Sequence, residues 1–345
     1  DSSLDNLPED FMITRKELEG YLPLIKKQYY TTLYLEKKGA LGLLGSGMQS
    51  IDGTVFVDGG AGYAKGYQAT LPEMKITMED YLKLMRLLQD NKKVELEMNI
   101  QNTFYDKDLT GYNVIAEIPG TDPTLKTQVV MLGGHLDSWA GGTGATDNGA
   151  GCIVMLEAMR ILKTLGIQPK RTIRIALWGG EEQGLLGSFG YVKKHFGDPE
   201  KMVLKPEQSR IAAYYNLDNG SGKIRGIYTQ GNESVVDIFK TWLAPLNDLG
   251  AAGGVTLSNT GSTDHVSFDA VGIPAFQFIQ DPLEYLTRTH HSNMDTYDHL
   301  IIEDLQQAAV IVAAFVYNTA MRDEMLPRKP LPKPEKFVFD FDFPI

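Results

Sequence analysis

The sequence predicts an α/β fold, a mostly parallel mixed sheet with helices on both faces, preceded by a smaller α+β segment. Three observations lead there. From about residue 101, short apolar runs alternate with longer amphipathic stretches. The run VVML at 129–132 is continuously apolar, as in a strand covered on both faces. Glycine-rich turns carrying Asp, Glu and His follow the apolar runs, at the strand ends where an open α/β sheet presents its site.

The elements follow in chain order. MEDYLKLMRLLQD (78–90) reads as a short amphipathic helix with Thr77 as N-cap and Asp80 at N3. VELEMNIQ (94–101) alternates, with Val94, Leu96, Met98 and Ile100 on one face, and predicts a half-exposed strand. Residues 1–100 thus form a small α+β piece, too thin for a core of its own. After VVML, CIVMLEAMRILKTLG (152–166) predicts a helix with Met155, Met159 and Leu162 on one stripe and Gly166 as its stop. RTIRIALWGG (171–180) is the next strand, and GLLGSFGYVKKHF (184–196) a helix weakened by its glycines. IAAYYNLD (211–218) and IPAFQFI (273–279) are further strands. A long helix runs from about Glu303 to Arg322, with Leu305, Ala308, Val312 and Phe315 on one face. Residues 101–325 make one catalytic-type domain. The remainder, 326–345, joins an extended proline-rich spacer, LPRKPLPKP, to FVFDFDF, whose two-fold alternation predicts a strand for its own domain or for a partner chain.

Bulk properties narrow the function classes. The 345 residues carry 33 basic and 44 acidic groups, a net charge of −11, which argues against nucleic acid or an anionic membrane as partner. The most apolar run, AAVIVAAFVY (308–317), is too short to span a bilayer. The opening DSSLDNLPED is polar and shows no leader, though a cleaved leader would leave no trace. The lone Cys152 excludes an internal disulfide and a cysteine zinc cluster, and reads as a small core residue.

Polar residues cluster where chemistry is expected. The first strand of the domain leads to His135 and Asp137, and its loop returns to Asp147 just before a helix. The next ends in adjacent Glu181 and Glu182, the third in Asp218, and RTHHSNMDTYD offers His290 and His291. Five acidic groups and at least two imidazoles meeting there would repel unless a cation held them, and oxygen and nitrogen ligands suit divalent metals. A two-metal site needs a shared carboxylate because the ions lie roughly 3.5–4 Å apart. Asp147, in its glycine-rich setting, suits that bridge. One of the adjacent glutamates can ligate while the other takes a proton from the attacking water, and Asp137 can accept the second N–H of His135. A phosphate-binding reading of GGTGATDNGAG fails because no lysine follows. His195, His265 and His299 read as surface or structural residues. Asp264 in GSTDH either lines the pocket or caps a loop.

HLDSW, TDNGAG, WGGEEQG, NLDNG and HHSNMDTYD, in this order, resemble the co-catalytic dizinc exopeptidases, over roughly residues 35–328. The resemblance implies a zinc exopeptidase fold with two Zn2+ bridged by Asp147. His135 and Asp218 match the ligands of one zinc, Glu182 and His291 those of the other. His291 is preferred to His290 because it precedes the serine. Glu181 matches the general base and Asp137 the aspartate behind the ligand shell, and the Asp147–Asn148 peptide is expected to be cis. Relatives carry a protease-associated domain ahead of the site, so residues 1–100 would be a partial, protease-associated-type segment of a shortened or divergent form. The implied activity is hydrolysis of dipeptides or short peptides as a carboxypeptidase or dipeptidase, with an aminopeptidase as the alternative. An Arg225 or Arg288 near the mouth would favour a substrate carboxylate. A receptor-like binding module and a glutaminyl cyclase-like acyltransferase share the scaffold. Export to the periplasm or extracellular space is implied by resemblance alone, and a homodimer through the phenylalanine-rich tail is the oligomer to look for.

Overall fold

A computed structural model describes residues 27–47, 51–57, 71–103, 105, 107–251 and 254–334. Its centre is a seven-stranded sheet. In chain order the strands are β3 (Val114–Ile118), β4 (Val129–His135), β5 (Thr172–Trp178), β8 (Ile211–Asn216), β9 (Ile224–Tyr228), β10 (Gly254–Thr256) and β11 (Ala275–Gln280). Their spatial order is β10-β9-β11-β8-β4-β5-β3. The four central strands β11, β8, β4 and β5 run parallel, whereas β3 is antiparallel to β5 and β9 antiparallel to β11. Two short strands, β1 (Leu43–Gly45) and β2 (Glu73–Lys75), pair apart from it in the N-terminal region, and β6 (Gly197–Asp198) pairs with β7 (Val203–Leu204).

Helices cover both faces. The helices are α1 (residues 27–37), α2 (Met78–Gln89), α3 (Ala150–Thr164), α4 (Leu186–His195), α5 (Val236–Leu243), α6 (His265–Asp269) and α7 (Ile302–Met321). On one face Val130, Leu132, Ile173 and Ile175 pack with Met155 and Leu162 of α3, Phe239 of α5 and Phe315 of α7. On the other, Met131 and Trp178 pack with Val192 of α4 and Phe268 of α6. Neighbouring residues of β4 therefore enter opposite cores, which is why the strand reads as a continuous apolar run. Cys152 is buried within the first of these cores.

Most predicted elements form within two residues of their expected ends. Thr77 caps α2, its hydroxyl accepting from the Asp80 amide at 3.3 Å, and Gly166 ends α3 at φ 65°. One expectation fails. VELEMNIQ forms no strand, and Leu96 and Ile100 are exposed. Alternation is only half of what a strand needs; the other half is a neighbour to take its backbone hydrogen bonds, and none of the described strands pairs there. The sequence reading also passed over β3 and β10, the strands at the two sheet edges, and β9, which lies next to β10. FVFDFDF lies outside the described residues. The proline-rich stretch is extended but packed down: Arg328 donates to the carbonyls of Gly272, Gln208 and Ile211, and Lys329 to the Gln230 carbonyl and the Asp269 carboxylate. No helix among the described residues is long and apolar enough to cross a membrane.

The β4–β5 approach requires a glycine. A Cβ on Gly133 would lie 2.1 Å from the Ala176 carbonyl oxygen, a backbone atom fixed in the ladder. Gly133→Ala is expected to cost about 1–3 kcal/mol of stability through overpacking. Urea unfolding measures it, and an unchanged midpoint would contradict this packing.

Candidate metal centre

The strand order brings the predicted residues together. β4 lies between β5 and β8, and β11 lies beside β8, so the carboxyl ends of four parallel strands open on one edge. His135 is the last residue of β4. Glu181 and Glu182 follow β5 through Gly179 and Gly180, the latter at φ 74°. Asp218 stands two residues beyond β8. Asp147 lies in the turn before α3, preceded by Gly144, and its peptide bond to Asn148 is cis, as the resemblance implied. His291 comes from the loop between β11 and α7.

The two oxygens of the buried Asp147 carboxylate face different imidazoles. Oδ1 is 3.2 Å from His135 Nε2 and Oδ2 is 3.3 Å from His291 Nε2. On the first side, His135 Nε2 also lies 3.3 Å from Asp218 Oδ1 and 3.9 Å from Glu181 Oε2. On the second, His291 Nε2 lies 3.1 Å from Glu182 Oε2. His290 stacks on His291 with ring centroids 3.7 Å apart, its own Nε2 3.9 Å from Asp147 Oδ2. The sequence left the choice of histidine to resemblance; both rings lie close enough to Asp147 to share an ion with it, and His291 also contacts Glu182.

These contacts are crowded for hydrogen bonds and suitable for ligands. His135 Nδ1 lies 2.9 Å from the Asp137 carbonyl oxygen, which can only accept, so Nδ1 carries a proton. In the neutral ring Nε2 then aims a lone pair at carboxylate oxygens. Even a second proton on Nε2 could not serve Asp147 and Asp218 equally. Asp147 Oδ2 and Glu182 Oε1 are buried and make no aligned hydrogen bond. Buried acceptors converging without donors are costly unless a cation lies between them. Imidazole nitrogens with carboxylate oxygens form a donor set that fits a divalent metal.

Asp137 acts differently from expectation. Its carboxylate stands 3.7 Å from His135 Nδ1 and accepts instead from the backbone N–H groups of Glu181 and Glu182, both at 3.1 Å. The peptide carbonyl is the nearer acceptor for the imidazole, which frees the carboxylate to fix the glutamate turn. Asp295 was missed by the sequence reading, although it lies within the quoted HHSNMDTYD. Its carboxylate accepts from the N–H groups of Thr146, at 2.6 Å, and Asp147, at 3.2 Å, and from the Thr146 hydroxyl. Asn148 ties the same turn to the end of β8 by donating to the Leu217 carbonyl and accepting from Gly151 N–H. A Cβ on Gly151 would meet that Leu217 oxygen at 2.3 Å, so this glycine admits the strand end to the turn.

Of the residues set aside, His265 is fully buried and bonded to Gln230 and Thr260. His299 contacts Glu284 and His195 contacts Glu207. Asp264 begins α6 without a side-chain cap bond and is fully buried; burial pushes its carboxyl up to about 7 against the opposing pull of His135. Arg225 is paired with Asp281 and Arg288 with Asp52 and Glu284.

A mixed sheet that gathers imidazoles and carboxylates around one aspartate at its carboxyl edge has the architecture of the α/β metallopeptidases. Residues 113–316 match the profile of peptidase family M28, and the chain belongs to that family. Carboxypeptidase Q of Homo sapiens is 32% identical over 258 residues, which is 75% of this chain and 52% of that protein. A peptidase M28 precursor from Shewanella amazonensis SB2B shares the fold with a TM-score of 0.66 at 29% identity, covering 86% of this chain and 63% of that one. An aminopeptidase from Aneurinibacillus sp. strain AM-1 does so at 0.52 and 26% identity, covering 77% and 61%. The chain spans about half the length of curated relatives it matches.

Without a bound cation, protons take over part of the neutralisation. Burial disfavours charge on His291, but Asp147 and Glu182 outweigh it and raise its pKa to about 9. A raised histidine stabilises the fold in full below its ordinary value of 6.5 and loses that contribution as pH climbs through about 9. In chelator, the stability gap between wild type and His291→Ala is therefore expected to shrink from pH 6.5 to about 9. Urea midpoints across that range check it; a gap independent of pH would contradict the pairing.

Proposed function

We propose that the chain is a zinc-dependent exopeptidase that hydrolyses dipeptides or short peptides. The observation that carries this reading is the division of Asp147 between His135, at 3.2 Å from one oxygen, and His291, at 3.3 Å from the other. A carboxylate so divided fits two cations, one with His135 and Asp218, the other with Glu182 and His291. Imidazole with carboxylate is a ligand set for zinc. When bound, the two ions supply Lewis acidity toward the attacking water and the scissile carbonyl.

The protein's own groups do the rest. Glu182 contacts His291, whereas Glu181 stands 3.9 Å from His135 and shares a cluster with His135 and Asp218. Burial holds its carboxyl well above the usual carboxylate range, which suits a group that accepts a proton and returns it. Glu181 takes the proton of the attacking water on its carboxylate and delivers it to the nitrogen of the leaving amine. Asp137 keeps that carboxylate in place through the backbone N–H of Glu181.

The resemblance to carboxypeptidase Q favours release of a C-terminal residue or cleavage of dipeptides. The aminopeptidase reading has its own support: Arg225 and Arg288, the two candidates for a substrate carboxylate, are each engaged by acidic side chains. Export from the cytoplasm, a partial protease-associated-type N-terminal region and a homodimer belong to the same reading and follow from the resemblance.

Glu181→Gln is expected to lower peptide turnover by about 10²–10⁴-fold with the zinc content of wild type retained. Metal analysis beside a dipeptide assay tests it, and wild-type turnover in a zinc-loaded variant would refute the role of Glu181. Dipeptides blocked at the amino or the carboxyl end separate the two exopeptidase readings, since only the block at the recognised end stops cleavage.

A further inference from the structure

The two halves of the candidate centre are supported differently. His135 ends a strand paired on both sides, with β5 and with β8. His291 lies in a loop and has a φ of 54°, a backbone conformation unusual for a residue with a side chain. A non-glycine residue stays there only when its surroundings over-determine it. Part of that support comes from turns of the loop itself: His290 N–H donates to the Tyr285 carbonyl at 2.7 Å and Ser292 N–H to the Thr289 carbonyl at 3.2 Å.

The other part is borrowed from the N-terminal region. Val57 N–H donates to the carbonyl of His291 itself at 2.7 Å. Val55 N–H donates to Asn293 Oδ1 at 2.7 Å, and Asn293 N–H returns a bond to the Val55 carbonyl at 3.0 Å. Phe56 and Ser292 face each other as an antiparallel bridge. Residues 55–57 thus form a short ladder along the loop, 238 positions away in sequence between Val55 and Asn293. The segment is fastened at its start as well, by Asp52 to Arg288 of the same loop at 3.2 Å and by Gly53 N–H to Glu79 of α2 at 3.4 Å. Neither Asp52 nor Glu79 belongs to the groups of candidate ligands.

We propose that Asn293 and residues 55–57 are positioning elements for His291, so that the N-terminal region sets the affinity of the second cation half-site without contributing a ligand. This rests on the two-cation reading given above. The His135–Asp218 half, built on the central sheet, does not depend on that ladder. Loss of the ladder therefore weakens one half-site and spares the other, which a general loss of folding would not do.

The full chain carrying Asn293→Ala or Asn293→Asp provides the test, with two readouts. Hydrogen exchange in the chelated protein reports on the loop directly. Asn293→Ala is expected to speed exchange across residues 288–296 and leave residues 129–135 unchanged. Zinc titration is expected to show one of two classes of site weakened about tenfold, the low end of what loss of a supporting partner costs a metal site. Asn293→Asp keeps an acceptor for Val55 N–H and is expected to stay closer to wild type in both readouts. Unchanged exchange at 288–296, or equal weakening of both zinc classes, would overturn the proposal. Uptake of a single zinc by the wild type would instead overturn the two-cation reading, and the exchange result would still decide whether the ladder holds the loop.

Discussion

The structure turns on one buried carboxylate. Asp147 is nearly inaccessible to water, and each of its oxygens faces an imidazole that is itself pressed against other acids. Such a group cannot be left uncompensated, because the cost of removing a carboxylate from water exceeds what hydrogen bonds between acceptors could return. Shared positive charge on both sides resolves the conflict. In the absence of metal, protons perform part of that service: burial opposes charge on His135, yet Asp218 and Asp147 raise its pKa well above the ordinary value; burial likewise opposes charge on Asp147, yet His135 and His291 lower its pKa.

Meeting that constraint takes several layers. The adjacent strands β4 and β8 bring His135 and Asp218 within contact, and β5 delivers the glutamate pair from the other side. Behind them, polar side chains act on the backbone rather than on the ligands. Asp137 grips the two glutamate amides, Asp295 grips the amides of Thr146 and Asp147, and Asn148 joins that turn to the end of β8. Such groups fix orientation, and orientation decides whether converging lone pairs meet at one point.

Much of this was legible in the sequence, for physical reasons. VVML and IAAYYNLD are buried on both faces, and such strands announce themselves by unbroken apolar character. Acidic and imidazole side chains at the ends of those runs have few structural uses, so His135, Asp137, Asp147, the pair Glu181 and Glu182, Asp218 and the pair His290 and His291 stood out together; dividing each pair was left to the resemblance. What was not legible depends on partners distant in the chain. VELEMNIQ alternates as a strand should but has no paired neighbour among the described strands. The edge strand β3, mostly exposed, lacks the apolar signal of the central ones. Asp295 and Asn293 act through hydrogen bonds to the backbone of remote residues, and no spacing rule marks a side chain for that. The role of Asp137 was read from proximity to His135, whereas the geometry gives the imidazole to its carbonyl and the carboxylate to the glutamate turn.

Anomalous scattering at the zinc edge, from crystals of the zinc-loaded protein, tests the central claim most directly. The account predicts two peaks, one bounded by His135 and Asp218, the other by Glu182 and His291, with the Asp147 carboxylate between them. A single peak, or peaks away from Asp147 in a folded protein, would contradict it.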